Sequence, residues 1–161
     1  SILDLGCGTG ALGAHFLGQA SRLVGVDPSP GMLDVFRQKF QDFPQVTSVC
    51  ADLEQESPEL GRFDVILSAM AFHHLQRPQE MLERLARMLN PKGMICVFDL
   101  DQEDGSFHPD NKAMGVHHFG FSRELRTSWL AHTDLSQVEH SVAYQMHKNQ
   151  RTYDVLLSVY R

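Results

Sequence analysis

Short apolar runs alternate with amphipathic stretches along most of the chain, and this alternation predicts strands separated by helices. The apolar runs predict strands at 2–5, 22–26, 46–50, 63–68, 94–100, 137–146 and 152–160. Apolar residues three or four positions apart predict helices at 11–19, 30–40, 77–89 and 122–133. Because strands that alternate with helices pair in parallel through crossover connections, most of the sheet is expected to be parallel.

Capping and breaking residues predict where two of these helices begin and end. Ser29 is a typical N-cap residue, and Pro30 follows it at the first helical position. Asn-Pro-Lys-Gly at 90–93 predicts the turn that ends the helix 77–89. The positions expected to be buried on the second and the last helix are Met32, Phe36, Phe40, Leu125 and Trp129.

The C-terminal third of the chain has a different pattern. A polar segment at 101–120 predicts a long loop, and the last two strands flank Lys148-Asn149-Gln150-Arg151, which predicts a hairpin. The predicted fold is therefore a doubly wound α/β sandwich: one domain, 1–161, with a mostly parallel seven-stranded sheet, helices on both faces and a C-terminal antiparallel hairpin. In such sheets, ligands bind beyond the carboxyl ends of the strands where the strand order reverses.

Composition narrows the class of protein. A chain of 161 residues with 42% hydrophobic residues is long enough for one well-packed core. The formal net charge of −6 argues against a nucleic-acid partner, and no apolar run approaches the roughly 20 residues that span a bilayer. Cys7, Cys50 and Cys96 have no CxxC spacing, which favours buried thiols in a reducing cytoplasm over a disulfide framework.

A glycine-rich turn follows the first predicted strand directly. Gly6, Gly8 and Gly10 alternate with other residues, and glycine lets a ligand approach the backbone closely. With Ala11, the turn loosely satisfies the dinucleotide fingerprint, and Asp27 stands 21 positions after Gly6, where that fingerprint has its ribose-binding acid. Taken alone, the turn is compatible with a nicotinamide-dependent oxidoreductase.

Five segments in order resemble the motifs of class I S-adenosylmethionine-dependent methyltransferases, which have a Rossmann-like fold. LDLGCGTG, from Leu3 to Gly10, resembles their first motif, and Val26-Asp27 resembles the acidic end of their second strand. Ala51-Asp52-Leu53 is similar to their adenine-binding turn. FDVILSAMAFHHL (63–75) and LNPKGMICVFDL (89–100) resemble their fourth-strand motif and the turn into their fifth strand.

The resemblance implies S-adenosylmethionine as the cofactor and S-adenosylhomocysteine as the product. The cofactor-binding residues that it implies are Asp4, Gly6, Cys7, Gly8, Gly10, Asp27, Pro28, Met32, Ala51, Asp52, Leu53, Ser68 and Ala69. In the family, Asp4 would lie near the methionyl ammonium, directly or through water, and Ser68 and Ala69 would offer it backbone carbonyls. The backbone of Gly6 to Gly8 would pack against the methionyl and ribose parts.

The same resemblance implies the contacts of the nucleoside. Asp27 would accept hydrogen bonds from both ribose hydroxyls, which the two oxygens of a carboxylate suit well. Asp52 would bind the adenine amino group, the Leu53 amide would meet a ring nitrogen, and Met32 would lie against the adenine face. Each residue also has an ordinary structural interpretation: Asp27 as a helix cap, Asp52 as a turn residue and Met32 as part of the core.

Nine histidines include two adjacent pairs, 73–74 after the fourth strand and 117–118 in the long loop. We expect no metal, because zinc ligands usually have spaced motifs and adjacent side chains on a strand diverge. His74 and His118 are the candidate general bases. Methyl transfer is an in-line displacement on an activated carbon, so a base is needed only when the acceptor must lose a proton.

The sequence says less about the methyl acceptor. Ser-Ala-Met-Ala at 68–71 stands where relatives that methylate amide or exocyclic nitrogens have Asn or Asp followed by Pro-Pro and an aromatic residue. This difference, with the acidic charge, favours a small-molecule acceptor, as in the quinone-precursor branch of the family. The segment 103–121 is either a wall of the acceptor pocket or a solvated connector; the wall would use Phe107, His108, His117, His118 and Phe119.

Two other functions stay open at this point. One is the nicotinamide-dependent oxidoreductase, which the terminal hairpin disfavours, and the other is a domain that keeps the fold for binding or assembly without catalysis. Because the first strand begins near Ser1, we expect the helices that precede it in the family to be absent and cofactor binding to be weak. The oligomeric state and the methylated atom are open.

Overall fold

A computed structural model describes residues 1–148 and 150–161. Its strands are β1 (Ile2–Leu5), β2 (Leu23–Asp27), β3 (Val46–Cys50), β4 (Phe63–Ala69), β5 (Leu89–Leu100), β6 (Gln137–Lys148) and β7 (Arg151–Tyr160). Its α-helices are α1 (Pro30–Lys39), α2 (Pro78–Arg87) and α3 (Arg123–Ser128), and single 3-10 turns occur at Gly13–Phe16, Phe72–His74 and Trp129–His132.

The seven strands form one sheet in the order β3-β2-β1-β4-β5-β7-β6. The first five pair in parallel, and β7 pairs antiparallel with both β5 and β6. This arrangement confirms the predicted fold class, including the terminal hairpin; Asn149, in its predicted turn, lies outside the described residues. The order reverses between β1 and β4, so the turns after these strands lie where a doubly wound sheet binds its ligand.

Helix α1 begins as its sequence predicts. The Ser29 hydroxyl accepts a hydrogen bond from the Met32 amide (3.4 Å), and Pro30 occupies the first helical position. The predicted buried stripe is wrong at one position: Met32 is 48% exposed, and Phe36 and Phe40 are buried with Leu33. Helical spacing places residue 33 nearer to the centre of the buried face than residue 32, because 33, 36 and 40 are three and four positions apart.

Two other predicted elements differ from the structure near glycines. The predicted helix 11–19 is wrong: only the 3-10 turn Gly13–Phe16 forms. Gly13 is buried so close to β1 that a Cβ there would lie 3.2 Å from the Asp4 carboxylate, and glycine weakens a helix. The predicted turn 90–93 lies within β5 as a bulge, in which Lys92 has φ +67°.

The predicted helix 122–133 is two pieces, α3 and the 3-10 turn that follows it. The prediction that Leu125 packs inward is wrong, because Leu125 is 44% exposed, whereas Trp129 is buried as predicted. Arg126 is buried instead, and its guanidinium donates to the carbonyls of Asp99 and Leu100, both at 2.8 Å. A charged side chain that ties a helix to a strand end is not visible in an apolar pattern.

Candidate functional site

The glycine turn joins the carboxyl end of β1 to the neighbouring strand β2. The amides of Gly6 and Cys7 both donate to the Val26 carbonyl, at 2.8 and 3.1 Å. Gly6 and Gly8 have φ of +67° and +50°, which side chains other than glycine's disfavour. A Cβ on Gly6 would overlap Ala71, whereas a Cβ on Gly8 would stand in open space. The turn therefore presents bare backbone at Gly8, as a cradle for a bound molecule would.

Asp27, at the end of β2, completes this cradle. Its Oδ2 accepts from the Gly8 amide and its Oδ1 from the Ser29 amide, both at 2.9 Å, and the side chain is 9% exposed. Each carboxylate oxygen has a second lone pair, so both oxygens can accept one further hydrogen bond. This arrangement fits a vicinal diol such as that of a ribose, with the carboxylate already oriented by two amides.

Asp4 lies beside this turn and is almost fully buried. Its side chain is 1% exposed, and Oδ2 has no hydrogen-bond partner among the described residues. Burial raises the pKa of Asp4 to about 7; the Gly13 amide opposes the rise and the negative charge of Asp27 adds to it. An orphaned buried carboxylate is stabilised by a cation, so this position fits the ammonium of S-adenosylmethionine.

The turn after β3 lies on the other side of β2. Ala51 is buried and its amide donates to the Asp27 carbonyl at 3.3 Å. The Asp52 Oδ1 accepts from the Glu54 amide (2.9 Å), and the Asp52 amide donates to Glu56 Oε1 (3.0 Å). These bonds fix the orientation of Asp52 and leave one of its carboxylate oxygens for a ligand.

The remaining predicted cofactor residues have mixed environments. Cys7 and Gly10 are buried in the turn, and Leu53 is buried after β3; Pro28 is exposed. The Cys7 thiol has its pKa raised by burial and by the charges of Asp4 and Asp27, so it stays a neutral thiol. The exposure of Met32 at the start of α1 leaves its thioether free to cover a flat ligand.

Ser68 and Ala69 end β4 directly opposite the glycine turn. The Ser68 hydroxyl is buried and donates to the Leu5 carbonyl at 3.0 Å, which ties β4 to the end of β1. Met70 follows with φ +54°, and its amide donates to the Phe98 carbonyl at 2.8 Å. A non-glycine residue in this conformation is strained, and such strain clusters at functional sites.

The first histidine pair lies just beyond this strand end. His73 and His74 form a 3-10 turn rather than a strand, so their rings do not diverge: the centroids are 4.1 Å apart. His73 is buried, and its Nδ1 lies 2.7 Å from Oδ1 of Asp99, which is also buried. The pair 73–74 is conspicuous in the sequence, but no role is predicted there for His73 itself or for Asp99. An acid inside the otherwise apolar strand β5 was the signal that could have found them.

The two candidate bases have different neighbours. His74 is half-buried, and its Nδ1 donates to the Gly115 carbonyl at 3.1 Å. Burial lowers the pKa of His74, as does the charge of His73. His118 is half-buried in the long loop, its amide donates to the His73 carbonyl at 3.1 Å, and its Nε2 has no partner within the described part of the chain.

The long loop between β5 and α3 is partly a wall and partly a connector. Phe107 and His108 are buried, the His108 ring centroid lies 5.0 Å from that of His73, and burial lowers the pKa of His108 to about 4. His117 and Phe119 are exposed. The loop therefore contacts the turn after β4 at two places: through the ring of His108 and through the backbone amides of 117 and 118.

A large recess lies away from the glycine turn. It has a volume of about 890 Å³ and is lined by the segment 53–61 and by α2. Several of its charged groups already have partners: Glu54 accepts from the amides of Gln76 and Arg77, and Arg84 donates to the Leu53 carbonyl. We therefore take the glycine turn, where Oδ2 of Asp4 has no hydrogen-bond partner among the described residues, as the candidate functional site.

Comparisons with known proteins identify the family. A family model described as a methyltransferase domain matches residues 2–93, more than half of the chain, so the chain belongs to this family. An uncharacterised methyltransferase of Schizosaccharomyces pombe is 34% identical over 155 residues, covering 86% of this chain and 54% of that protein. A malonyl-(acyl-carrier protein) O-methyltransferase of Anoxybacillus flavithermus is 35% identical over 110 residues, which cover 67% of this chain and 41% of that protein.

The fold is also that of a solved methyltransferase structure. The N-methyltransferase NodS from Bradyrhizobium japonicum, in complex with S-adenosylhomocysteine, has a TM-score of 0.76 and 20% identity, covering 99% of this chain and 76% of NodS. The predicted class, a class I S-adenosylmethionine-dependent methyltransferase domain, is confirmed, and with it S-adenosylmethionine as cofactor. The chain spans about half the length of the curated relatives that it matches.

Proposed function

We propose that the protein transfers the methyl group of S-adenosylmethionine to a small-molecule acceptor, and that the thirteen residues implied by the resemblance hold the cofactor. The observation that carries the proposal is the pair of buried acids around the glycine turn, Asp4 and Asp27. One has an orphaned oxygen suited to an ammonium, and the other has two oriented oxygens suited to a diol. The cofactor, when bound, supplies a methyl group activated by a positively charged sulfur.

The chain's own residues then position and desolvate the reactants. Asp27 and the Gly8 backbone fix one end of the cofactor, and Asp4 neutralises the ammonium in a site from which water is excluded. The end of β4 and the buried half of the long loop form the acceptor side. The leaving group of a sulfonium is a neutral thioether, which departs without the help of a Lewis acid or base. The main contribution that we assign to these residues is therefore the alignment of the acceptor.

His74 is the better placed of the two candidate bases for an acceptor that must lose a proton. Its lowered pKa keeps the imidazole neutral near pH 7, and its Nδ1 donates to Gly115, which leaves Nε2 with a lone pair. His118 stays the second candidate, with an Nε2 that has no partner within residues 1–148 and 150–161. Both assignments are proposals about acceptor chemistry only.

A small-molecule acceptor in the cytoplasm fits three observations. The net charge is −6, which disfavours a nucleic-acid substrate. Cys7, Cys50 and Cys96 are free thiols, as in a reducing compartment. Only Cys7 is buried as predicted; Cys96 is half-buried, and the prediction is wrong for Cys50, which is exposed. None of the helices within residues 1–148 and 150–161 has the length and apolar character that crossing a membrane requires.

Calorimetric titration with S-adenosylhomocysteine tests the cofactor site. Asp27→Ala is expected to weaken binding at least about tenfold, since a hydrogen-bonded charged group contributes about 1.5–3 kcal/mol. Asp27→Asn keeps one acceptor oxygen and distinguishes a binding defect from a misfolded turn. Asp42→Ala, at an exposed position on the connection to β3, is the matched control and should bind as the native chain does. Binding of NAD⁺ in place of S-adenosylhomocysteine would contradict the proposal.

A further inference from the structure

Three histidines converge beside the acceptor side of the site. His73 and His74 come from the 3-10 turn after β4, and His108 comes from the long loop after β5. One ring nitrogen of each lies within 4.8 Å of those of the other two. His73 and His108 are 1% and 9% exposed, so the cluster is largely shielded from solvent. Buried polar side chains normally have hydrogen-bond partners or a ligand, so three imidazole rings packed together in a largely buried place suggest a binding role.

The hydrogen bonds of this cluster select one tautomer for two of the rings. A carboxylate and a carbonyl only accept hydrogen bonds, so Nδ1 of His73 donates to Asp99 (2.7 Å) and Nδ1 of His74 donates to the Gly115 carbonyl (3.1 Å). Both rings therefore keep the Nε2 lone pair. The Nε2 of His73 is buried and has no partner among the described residues.

This pattern is that of imidazoles prepared for a metal ion. Histidines that bind a metal almost always donate their other ring N–H to a carboxylate or a backbone carbonyl, which orients the ring and makes it a better ligand. Although the sequence favours no metal, we propose that His73, His74 and His108 bind a divalent transition metal of the zinc class, with Asp99 orienting His73 from outside the coordination sphere. The proposal does not depend on the proposed methyltransferase activity, but a metal on Nε2 of His74 occupies the lone pair that a general base needs and leaves that role to His118.

The chemistry of the donors limits which metal is expected. Three imidazole nitrogens suit Zn²⁺, Cu²⁺, Ni²⁺ or Co²⁺, whereas Mg²⁺ and Ca²⁺ prefer oxygen ligands. Zinc–nitrogen distances of about 2.0–2.1 Å in a tetrahedral site imply nitrogens roughly 3.3 Å apart. Because the three nitrogens lie within 4.8 Å of one another, binding the ion brings them closer by at most about 1.5 Å. Three protein ligands leave a fourth position for water or for an acceptor atom.

The test uses untagged protein, stripped with a chelator and dialysed. Titration with Co²⁺ is followed by visible absorption, and Zn²⁺ then competes for the same site. We expect one equivalent of each metal to bind. His74→Gln and His108→Gln should weaken binding at least about tenfold, and Asp99→Asn should weaken it roughly tenfold to a hundredfold through loss of the orienting carboxylate.

Matched controls keep the result interpretable. His15→Gln and His132→Gln change exposed histidines far from the cluster in sequence and should bind Co²⁺ and Zn²⁺ as the native chain does. Circular dichroism shows whether each variant folds, and the half-exposed His74 is the position most tolerant of substitution. No stoichiometric binding by the native chain, or equal affinity in His108→Gln, would overturn the proposal and leave a cluster of imidazole rings packed against one another.

Discussion

Replacing Asp4 by asparagine removes the one acid whose pKa the fold moves to about 7. The usual pKa of an aspartate is 3.8, so the fold raises the pKa of Asp4 by about 3 units. At 1.36 kcal/mol for each pKa unit, ionising Asp4 costs about 4 kcal/mol more in the folded, ligand-free protein than in the unfolded chain. The dominant cause is burial, since the side chain is 1% exposed. An ammonium placed beside Asp4 would reverse this preference, because it stabilises the charged carboxylate.

This coupling makes ligand affinity depend on pH. Below pH 7 the ligand-free protein holds a proton on Asp4 that binding must release. If the bound form is fully ionised and the ligand-free pKa is about 7, the affinity for S-adenosylhomocysteine falls about tenfold from pH 8 to pH 6. Titrations in two buffers of different ionisation enthalpy count the proton directly: about 0.9 released at pH 6 and about 0.1 at pH 8.

Asp4→Asn should bind more weakly and with no pH dependence in this range. A native chain whose affinity and proton release are constant between pH 6 and pH 8 would refute the assignment of Asp4 to the ammonium. Stability gives an independent check in the absence of ligand. The folded pKa lies above the unfolded one, so stability falls as pH rises from about 4 to about 7. Asp4→Asn should therefore be more stable than the native chain at pH 8, and the difference should shrink towards pH 4.

Gly8→Ala should lower the free energy of unfolding by about 1–2 kcal/mol, because Gly8 has a positive φ, and it should also weaken S-adenosylhomocysteine binding. Gly18→Ala is the control: Gly18 has no positive φ and open space around it, so this change should have neither effect. Arg126→Met leaves the buried carbonyls of Asp99 and Leu100 without their hydrogen-bond donor, so urea unfolding should show a loss of about 3 kcal/mol or more of stability. A loss below about 1 kcal/mol would contradict the view that Arg126 ties α3 to the end of β5. Ser29→Ala removes the α1 cap and should lower the unfolding free energy by about 0.5–1 kcal/mol, with an unchanged m-value.

Much of the fold can be predicted from the sequence because its strands are short, apolar and separated by clear breaks. Parallel pairing then follows from the alternation with helices, and the strand ends bring Asp4, Gly8 and Asp27 together at one edge. These residues lie next to strands in the chain, so their place in the sheet follows directly from the assignment of the strands.

Contacts that depend on a long loop or on a single turn were not predictable in the same way. His108 reaches His73 only because the loop after β5 folds back, and no periodic pattern encodes that path. Whether the rings of His73 and His74 diverge or contact each other depends on whether the chain is a strand or a 3-10 turn at that point. Arg126 is buried because strand-end carbonyls need a donor, a requirement of the tertiary structure that a helical pattern does not contain.

The most direct test of the account is an amide NMR titration of the ¹⁵N-labelled protein with S-adenosylhomocysteine. The account predicts the largest shifts at the amides of Gly6, Gly8 and Leu53, with a smaller response at the exposed end of α1. Saturation of these shifts in the native chain, and their loss in Asp27→Ala, would place the cofactor at the glycine turn. Shifts confined to the segment 57–61 and α2, or no shifts in a well-folded sample, would contradict the central claim.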